Sequence, residues 1–251
     1  MQLSLFERLK RKLGHSVMLK PRFLRLEQGA LSICFDDFPQ SAWSIAGPIL
    51  ADHGVHATYF VSGGLCNEVC QGIKQFTDRD LQEVWSAGHE IGCHTYDHVN
   101  ALKVSTRAFK ESIDKNTKFF QERLGNVTID NFAFPYNAAT LQTKLLVGRR
   151  FNSGRGIGDR LIRGWSDFSE LTSFNLSLLY STRASQTTTR NELPLLMERA
   201  VKERKWLVVY THDISDHPTE HGNRTRDFED LILQAKQAGL AIKPIRDVIA
   251  G

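Results

Sequence analysis

Cysteine and long apolar runs are both scarce in this 251-residue sequence. The first 20 residues, MQLSLFERLKRKLGHSVMLK, contain no apolar stretch long enough for a signal peptide or a transmembrane helix. We therefore expect a cytoplasmic protein in which the four cysteines are reduced thiols. Internal repeats, low-complexity tracts and long Gly/Ser linkers are also missing, which favours one large domain.

Positive charge is in slight excess, with a net charge of +4, and it is dispersed along the chain. The basic residues are not grouped on aromatic-bearing segments, which argues against a nucleic-acid partner. Leu5, Leu9 and Leu13 lie at helical spacing beside basic residues and predict an amphipathic helix. We therefore divide the chain into an N-terminal helical extension, 1–28, and a single domain, 29–251. The helix either packs on that domain or makes weak contact with the inner face of an anionic membrane.

Short apolar runs alternate with longer amphipathic segments, a pattern typical of βα units around a parallel sheet. The pattern predicts strands at 31–35, 57–61, 89–92, 131–134, 175–180, 206–210 and 240–242. It predicts helices at 40–51, 78–87, 105–124, 190–204 and 225–238. The region 148–174 is rich in Gly and Arg, has no clear period, and is predicted to be a long loop.

Chemically unusual residues come directly after the predicted strands. They are Asp36 and Asp37, then His94, then Pro135 and Tyr136, and finally His212. In parallel α/β architectures the active site forms at the carboxyl ends of the strands. We therefore expect these residues to converge on one edge of the sheet.

Two of the converging segments suggest a metal site. HTYDH places His94 and His98 four residues apart, and Asp37 would complete a set of three ligands that leaves one position open. Such a set is typical of a catalytic zinc site. HPTEH offers the same spacing at His217 and His221, although its polar composition predicts a solvent-facing loop. Spacing alone does not choose between the two pairs.

The ordered motifs resemble those of polysaccharide deacetylases, the NodB-homology or carbohydrate esterase family 4 group. The resemblance rests on FDD (35–37), HATYFV (56–61), EIGCHTYDH (90–98), FAFPY (132–136) and VVYTHD (208–213). It covers about residues 30 to 245 and implies an α/β fold, a distorted (β/α) barrel of about seven parallel strands. Residues 29–251 would then form one deacetylase-like catalytic domain.

The resemblance also implies a role for each residue. Asp37, His94 and His98 would hold one divalent metal ion, expected to be zinc. Asp36 would be the general base that takes a proton from the attacking water, and His212 the general acid that protonates the leaving amine. Pro135 and Tyr136 would contact the substrate, with the backbone N–H of Tyr136 stabilising the oxyanion.

The sequence departs from the family pattern at several positions. Phe38 stands where family members commonly have Gly, and Ala133 where many have an Arg that orients the base. Arg155 is a candidate replacement for that Arg. The fourth family motif, an Asp and a Trp beside the pocket, has its nearest match in Asp167 and Trp165 of GWSDF. We therefore include Arg155 and Trp165 among the predicted substrate-binding residues.

The resemblance favours a metal-dependent hydrolase that removes an N-acetyl group from an amino sugar. The N-acetylated sugar would belong to a polysaccharide, a lipid-linked precursor or a small-glycan precursor. Two alternatives stay open: hydrolysis of another acyl group, O-acetyl or N-formyl, on a sugar, or a carbohydrate-binding relative without activity.

Overall fold

The structure is a computed structural model that describes residues 5–180 and 192–251. Its helices are α1 Leu5–Ser16, α2 Ser41–Ser44, α3 Ala46–Asp52, α4 Asp78–Ser86, α5 Thr106–Leu124, α6 Leu141–Arg150, α7 Leu176–Tyr180, α8 Glu192–Lys202, α9 Thr225–Ala238 and α10 Ile245–Ala250. Its strands are β1 Pro21–Leu24, β2 Ala30–Asp37, β3 Thr58–Val61, β4 Val69–Cys70, β5 Ile73–Lys74, β6 Glu90–Cys93, β7 Asn131–Ala133, β8 Ser153–Arg155, β9 Gly164–Asp167, β10 Phe174–Asn175, β11 Trp206–Thr211 and β12 Ala241–Ile242.

A parallel sheet forms the centre of the molecule. Seven strands pair in the order β10-β11-β2-β3-β6-β7-β8, every pair is parallel, and β12 pairs with the start of β2. The sheet curls into a half-barrel with helices around it. This confirms the predicted α/β fold of about seven parallel strands. Strand β2 lies inside the sheet, between β11 and β3, and seven of its eight residues are buried.

Two sequence predictions are wrong in the second half of the chain. The predicted strand 175–180 is a strand only over Phe174–Asn175 and continues as helix α7, where Leu176 and Leu179 face the core three residues apart. The predicted loop 148–174 contains strands β8 and β9. Strand β8 lacks β-branched residues, and its Gly154 packs closely against a neighbouring segment. A Cβ at this position would lie only 2.5 Å from the backbone O of Ser169, so the close approach requires glycine.

The first 28 residues contain a strand as well as a helix. Strand β1 pairs antiparallel with β9, and α1 is held to α6 by Lys144 Nζ, which donates to the carbonyls of Gly14 and Val17 at 2.8 Å each. The side chains of Leu5 and Leu9 lie outside the described residues, and Leu13 is exposed. The domain division at residue 28 stays a prediction. Over 5–180 and 192–251, none of the helices has both the length and the apolar character needed to cross a membrane.

Candidate metal centre

Asp37, His94 and His98 meet at the carboxyl edge of the sheet. Asp37 ends β2, His94 directly follows β6, and His98 lies in the loop beyond it. The Oδ1 atom of Asp37 is 3.0 Å from His98 Nε2 and 3.5 Å from His94 Nε2, and the three ligand atoms all lie within 4.8 Å of one another. Asp37 Oδ1 is buried and accepts no hydrogen bond. A buried, unpaired carboxylate oxygen facing two imidazole nitrogens fits a divalent cation.

The backbone orients both histidines toward Asp37. The Nδ1 atom of His94 lies 2.9 Å from the carbonyl oxygen of Ala133, so Nδ1–H donates there and Nε2 is left as the atom that binds a metal. Asp37 and His98 have φ angles of 65° and 47°, in the left-handed region that costs about 1–3 kcal/mol for a residue other than Gly. Thr95, at φ 58°, shares that conformation. Such strain is concentrated at functional sites.

Burial keeps the two imidazoles neutral, which is the form that binds a metal. It lowers the pKa of His94 to about 3 and that of His98 to about 4. Burial also raises the pKa of Asp37, to about 6. A cation bound between the three side chains would offset the desolvation of the Asp37 carboxylate.

Asp36 points to a different partner. Both of its carboxylate oxygens accept from Nη2 of Arg155, and both side chains are buried. Burial by itself raises the pKa of Asp36, but the Arg155 guanidinium, followed by His94 and His212, outweighs burial and holds this pKa below its usual range. Asp36 is therefore ionised while Asp37 faces the histidines.

Arg155 reaches Asp36 from strand β8. In the ladder between β7 and β8, Arg155 is the direct partner of Ala133, the position where the resemblance leads us to expect Arg. The guanidinium is thus supplied by the neighbouring strand instead of β7. It also lies 4.8 Å above the centre of the Tyr210 ring. Sequence reasoning named Arg155 but placed it on a loop, because the strand around it is made of Ser, Gly and Arg.

His212 follows β11 and approaches the same cluster. Its Nε2 is 3.9 Å from Asp37 Oδ2, and its Nδ1 is 3.3 Å from the backbone oxygen of His221. The loop that carries His221 is fastened by Asp213, which accepts from the backbone N–H of Thr219 at 2.9 Å. Sequence reasoning assigned His221 to a solvent-facing loop and missed this contact, because a backbone acceptor leaves no signal in the sequence.

Pro135 and Tyr136 lie beside the histidines. Pro135 is buried, whereas Tyr136 is 63% exposed and its ring centre is 4.5 Å from that of His98. Tyr136 has a φ of 56°, within a short 3₁₀ turn after β7. The turn sets an exposed aromatic ring at the edge of the cluster.

Trp165 and Asp167 belong to other surroundings. Trp165 is 68% exposed on β9 and packs edge-on against Phe23 at 5.7 Å. Asp167 Oδ2 lies 2.8 Å from Nζ of the buried Lys144. Trp165 thus contacts β1, and Asp167 also accepts from the backbone N–H of Lys20 at 3.0 Å and from Ser169. The substrate-binding role of Trp165, and the assignment of the fourth motif, stay predictions.

The cluster therefore combines three kinds of chemical group. Three ligands can hold a cation, an ionised carboxylate stands next to them, and a histidine with its Nε2 facing inward lies on the other side. A carboxylate base and an imidazole acid on two sides of a metal site form the arrangement needed for metal-assisted hydrolysis.

Comparison with known proteins identifies related sequences. A family model described as polysaccharide deacetylase matches residues 25–149. The chitooligosaccharide deacetylase of Azorhizobium caulinodans is 27% identical over 135 residues, which is 53% of this chain and 60% of that protein. Matches to three curated relatives cover 22%, 17% and 60% of their lengths, so this chain spans less than two thirds of each.

Solved structures share the fold at low identity. A family 4 acetyl xylan esterase from Clostridium thermocellum, in complex with a cobalt ion, is 17% identical with a TM-score of 0.57, over 88% of this chain and 90% of that one. A CE4 family pseudoenzyme from Bacillus anthracis is 14% identical with a TM-score of 0.56, over 90% of this chain and 66% of that one. At these identities the likeness establishes the fold alone.

Proposed function

The chain belongs to the polysaccharide deacetylase family, and we propose that it is a metal-dependent hydrolase that removes an N-acetyl group from an amino sugar. The sugar would belong to a polysaccharide, a lipid-linked precursor or a small-glycan precursor. The observation that carries the proposal is the meeting of Asp37, His94 and His98, with Asp37 Oδ1 buried and unpaired. The cytoplasmic location and the identity of the ion as zinc are parts of the proposal.

These three residues would hold one divalent cation. When bound, the cation would polarise the amide carbonyl and lower the pKa of water at the site toward ~7. Asp36, kept ionised by Arg155, would accept the proton of the attacking water. The buried ion pair between Asp36 and Arg155 fixes the direction of that carboxylate and keeps it from binding a proton beforehand.

The remaining residues would act on the acyl group and the leaving amine. The backbone N–H of Tyr136 would donate to the developing oxyanion. His212 would donate a proton from Nε2 to the amine nitrogen, while its Nδ1–H stays on the carbonyl of His221. The products would be acetate and a free amino sugar. General acid and base steps of this kind contribute about 10²–10⁴-fold each.

Two further activities would use the same residues. An O-acetyl or N-formyl group also has a carbonyl carbon that water can attack, and the same base and acid would act on it. A carbohydrate-binding relative without turnover is the other alternative, since a pseudoenzyme shares the fold. Asp36, His212 and the three ligands are all present in this chain, which favours the enzyme.

The test combines zinc binding with product release. Wild-type protein and the variants Asp36→Asn and His98→Ala are dialysed against zinc, and bound metal is measured by mass spectrometry. Each is then incubated with N-acetyl, O-acetyl and N-formyl sugars, and acetate or formate is measured. We expect Asp36→Asn to keep zinc and lose turnover by about 10²–10⁴-fold, whereas His98→Ala loses zinc as well. Zinc binding by the wild type without release from any sugar would favour the binding relative.

A further inference from the structure

An apolar surface lies exposed on the two-stranded ribbon of β1 and β9 and on the segment that precedes β1. We call it the ribbon face and define it as Val17, Met18, Phe23 and Trp165. All four side chains are exposed, and Phe23 at 62% and Trp165 at 68% are among the most exposed apolar side chains of the described residues. Val17, Met18 and Trp165 line one cavity, and the Phe23 and Trp165 rings are in contact at 5.7 Å. Trp165 is thus shared by the cavity and by the ring pair, and it links the four residues.

Basic residues occur in the segments that carry this patch, and the shared cavity is also lined by Asp167 and Glu170, both of which pair with Lys144. Residues 1–28 hold seven of the 32 Lys and Arg residues and two of the 28 Asp and Glu residues, a net charge of +5. The whole chain has a net charge of +4, so residues 29–251 are slightly acidic. Arg160 and Arg163, both exposed, line the same cavity as Trp165. The net positive charge of the sequence thus lies in residues 1–28, the segment that carries Val17, Met18 and Phe23.

Apolar and aromatic side chains within a basic surface match the interface of an anionic bilayer. Trp is enriched at headgroup level, where its ring faces the acyl chains and its N–H faces water, and Arg attracts the lipid phosphates. A second copy of this chain would bring two basic surfaces together, which is unfavourable. We propose that the ribbon face docks on an anionic phospholipid bilayer. The proposal goes beyond the deacetylase function and does not depend on it.

The ribbon face and the metal centre lie toward opposite ends of strand β11. Ile162, three residues before Trp165, exchanges backbone hydrogen bonds with Trp206 at the start of β11. His212 follows the other end of that strand. The six residues of β11 span about 17–20 Å. We therefore expect bilayer docking to leave the metal centre accessible, so that binding and catalysis are measured separately.

The first test is co-sedimentation of the full chain with vesicles. We expect binding to phosphatidylglycerol vesicles at low salt, weaker binding at high salt, and about tenfold weaker binding to phosphatidylcholine. The double variant Phe23→Ala/Trp165→Ala should reduce the partition coefficient by about tenfold or more. The control is Leu195→Ala, which removes an equally exposed apolar side chain from α8 and should bind as the wild type does. Circular dichroism verifies that each variant is folded.

A second test keeps the apolar surface intact. Brominated acyl chains in the vesicles should quench the fluorescence of Trp165, and the quenching should disappear in Trp165→Phe but persist in Trp85→Phe. The proposal is overturned if the wild type does not bind anionic vesicles, or if the double variant binds as tightly as the wild type. It is also overturned if analytical ultracentrifugation shows a dimer that depends on Phe23 and Trp165. Binding of the chain to an immobilised glycan through these two residues would overturn it as well.

Discussion

Replacing Arg155 by Met tests the central electrostatic contact of the site. Arg155 and Asp36 are 1% and 5% exposed, and the guanidinium contacts both carboxylate oxygens. Methionine fills a similar volume without the charge, so the variant leaves a carboxylate buried without a partner. Removing one member of a buried ion pair costs about 3–5 kcal/mol. We expect Arg155→Met to lower the free energy of unfolding by that amount near neutral pH.

The sign of the pH dependence follows from the two causes that act on Asp36. In the wild type its pKa is held below the ordinary value, so the pair stabilises the fold above that value and the contribution is lost as the pH falls through the folded pKa. In Arg155→Met the guanidinium that lowers the pKa of Asp36 is absent while burial still raises it, so this pKa should rise above the ordinary value. The difference in stability between the two proteins should therefore shrink as the pH is lowered. The acidic limb of the kcat/KM profile should move to higher pH.

Urea unfolding between about pH 5 and 8, together with kcat/KM profiles, measures both effects. The control is Arg150→Met, which breaks a more exposed pair with Asp114 and should cost less than about 1 kcal/mol. Adding Asp36→Asn to Arg155→Met removes the unpaired charge and should recover part of the lost stability. The reasoning is refuted if Arg155→Met costs no more than the control, or costs the same at both ends of the pH range.

Three further predictions concern the surroundings of the site. The Phe38 side chain stacks on an aromatic neighbour, and its backbone has a φ of 70°. Phe38→Ala should therefore reduce the free energy of unfolding by about 3–5 kcal/mol, and Phe38→Gly, which relaxes the backbone, by about 1 kcal/mol less. Thermal unfolding measures both losses, and a larger loss for Gly contradicts the argument. In metal-free protein, lowering the pH from about 7 to 5 should reduce the free energy of unfolding by about 2 kcal/mol for each of His94 and His98, because their folded pKa values lie below the ordinary value. The raised pKa of Asp37 should restore about 1 kcal/mol over the same range. Urea unfolding measures the net loss, which should be smaller in His→Asn variants. Gly154→Ala should cost about 1–3 kcal/mol by calorimetry and lower the activity, and a neutral result would show that the backbone contact gives way.

The sequence was most informative where periodicity and burial agree. The apolar runs ending at Phe35 and Tyr210 lie in interior strands of the sheet, and the Asp37 and His212 side chains that follow them approach one another at one edge as expected. Short segments were harder to predict. An apolar run such as 175–180 fits either a strand or a helix, and the helical packing of Leu176 and Leu179 is decided by the tertiary structure. Edge strand β8 carries no strand-forming residues at all.

Within the candidate site, the contacts made by backbone atoms could not be predicted from the sequence. The side chains that approach one another were identified from motifs, whereas the acceptors that orient them were not. The carbonyl oxygens of Ala133 and His221 receive the Nδ1–H groups of His94 and His212, and any residue provides a carbonyl oxygen. Local sequence does not encode which carbonyl is presented, because that depends on the register of separate strands and on the path of a loop.

The proposed cation ligands come from the first half of the chain, whereas the proposed acid and the ion-pair partner of the proposed base come from the second half. Asp37, His94 and His98 all precede residue 100, whereas Arg155 and His212 follow residue 150. Under the proposed function, mutation at either late position would remove turnover while metal uptake survives, and a single reversion would restore it. An active enzyme and an inert metal-carrying paralogue would then be separated by one amino-acid exchange.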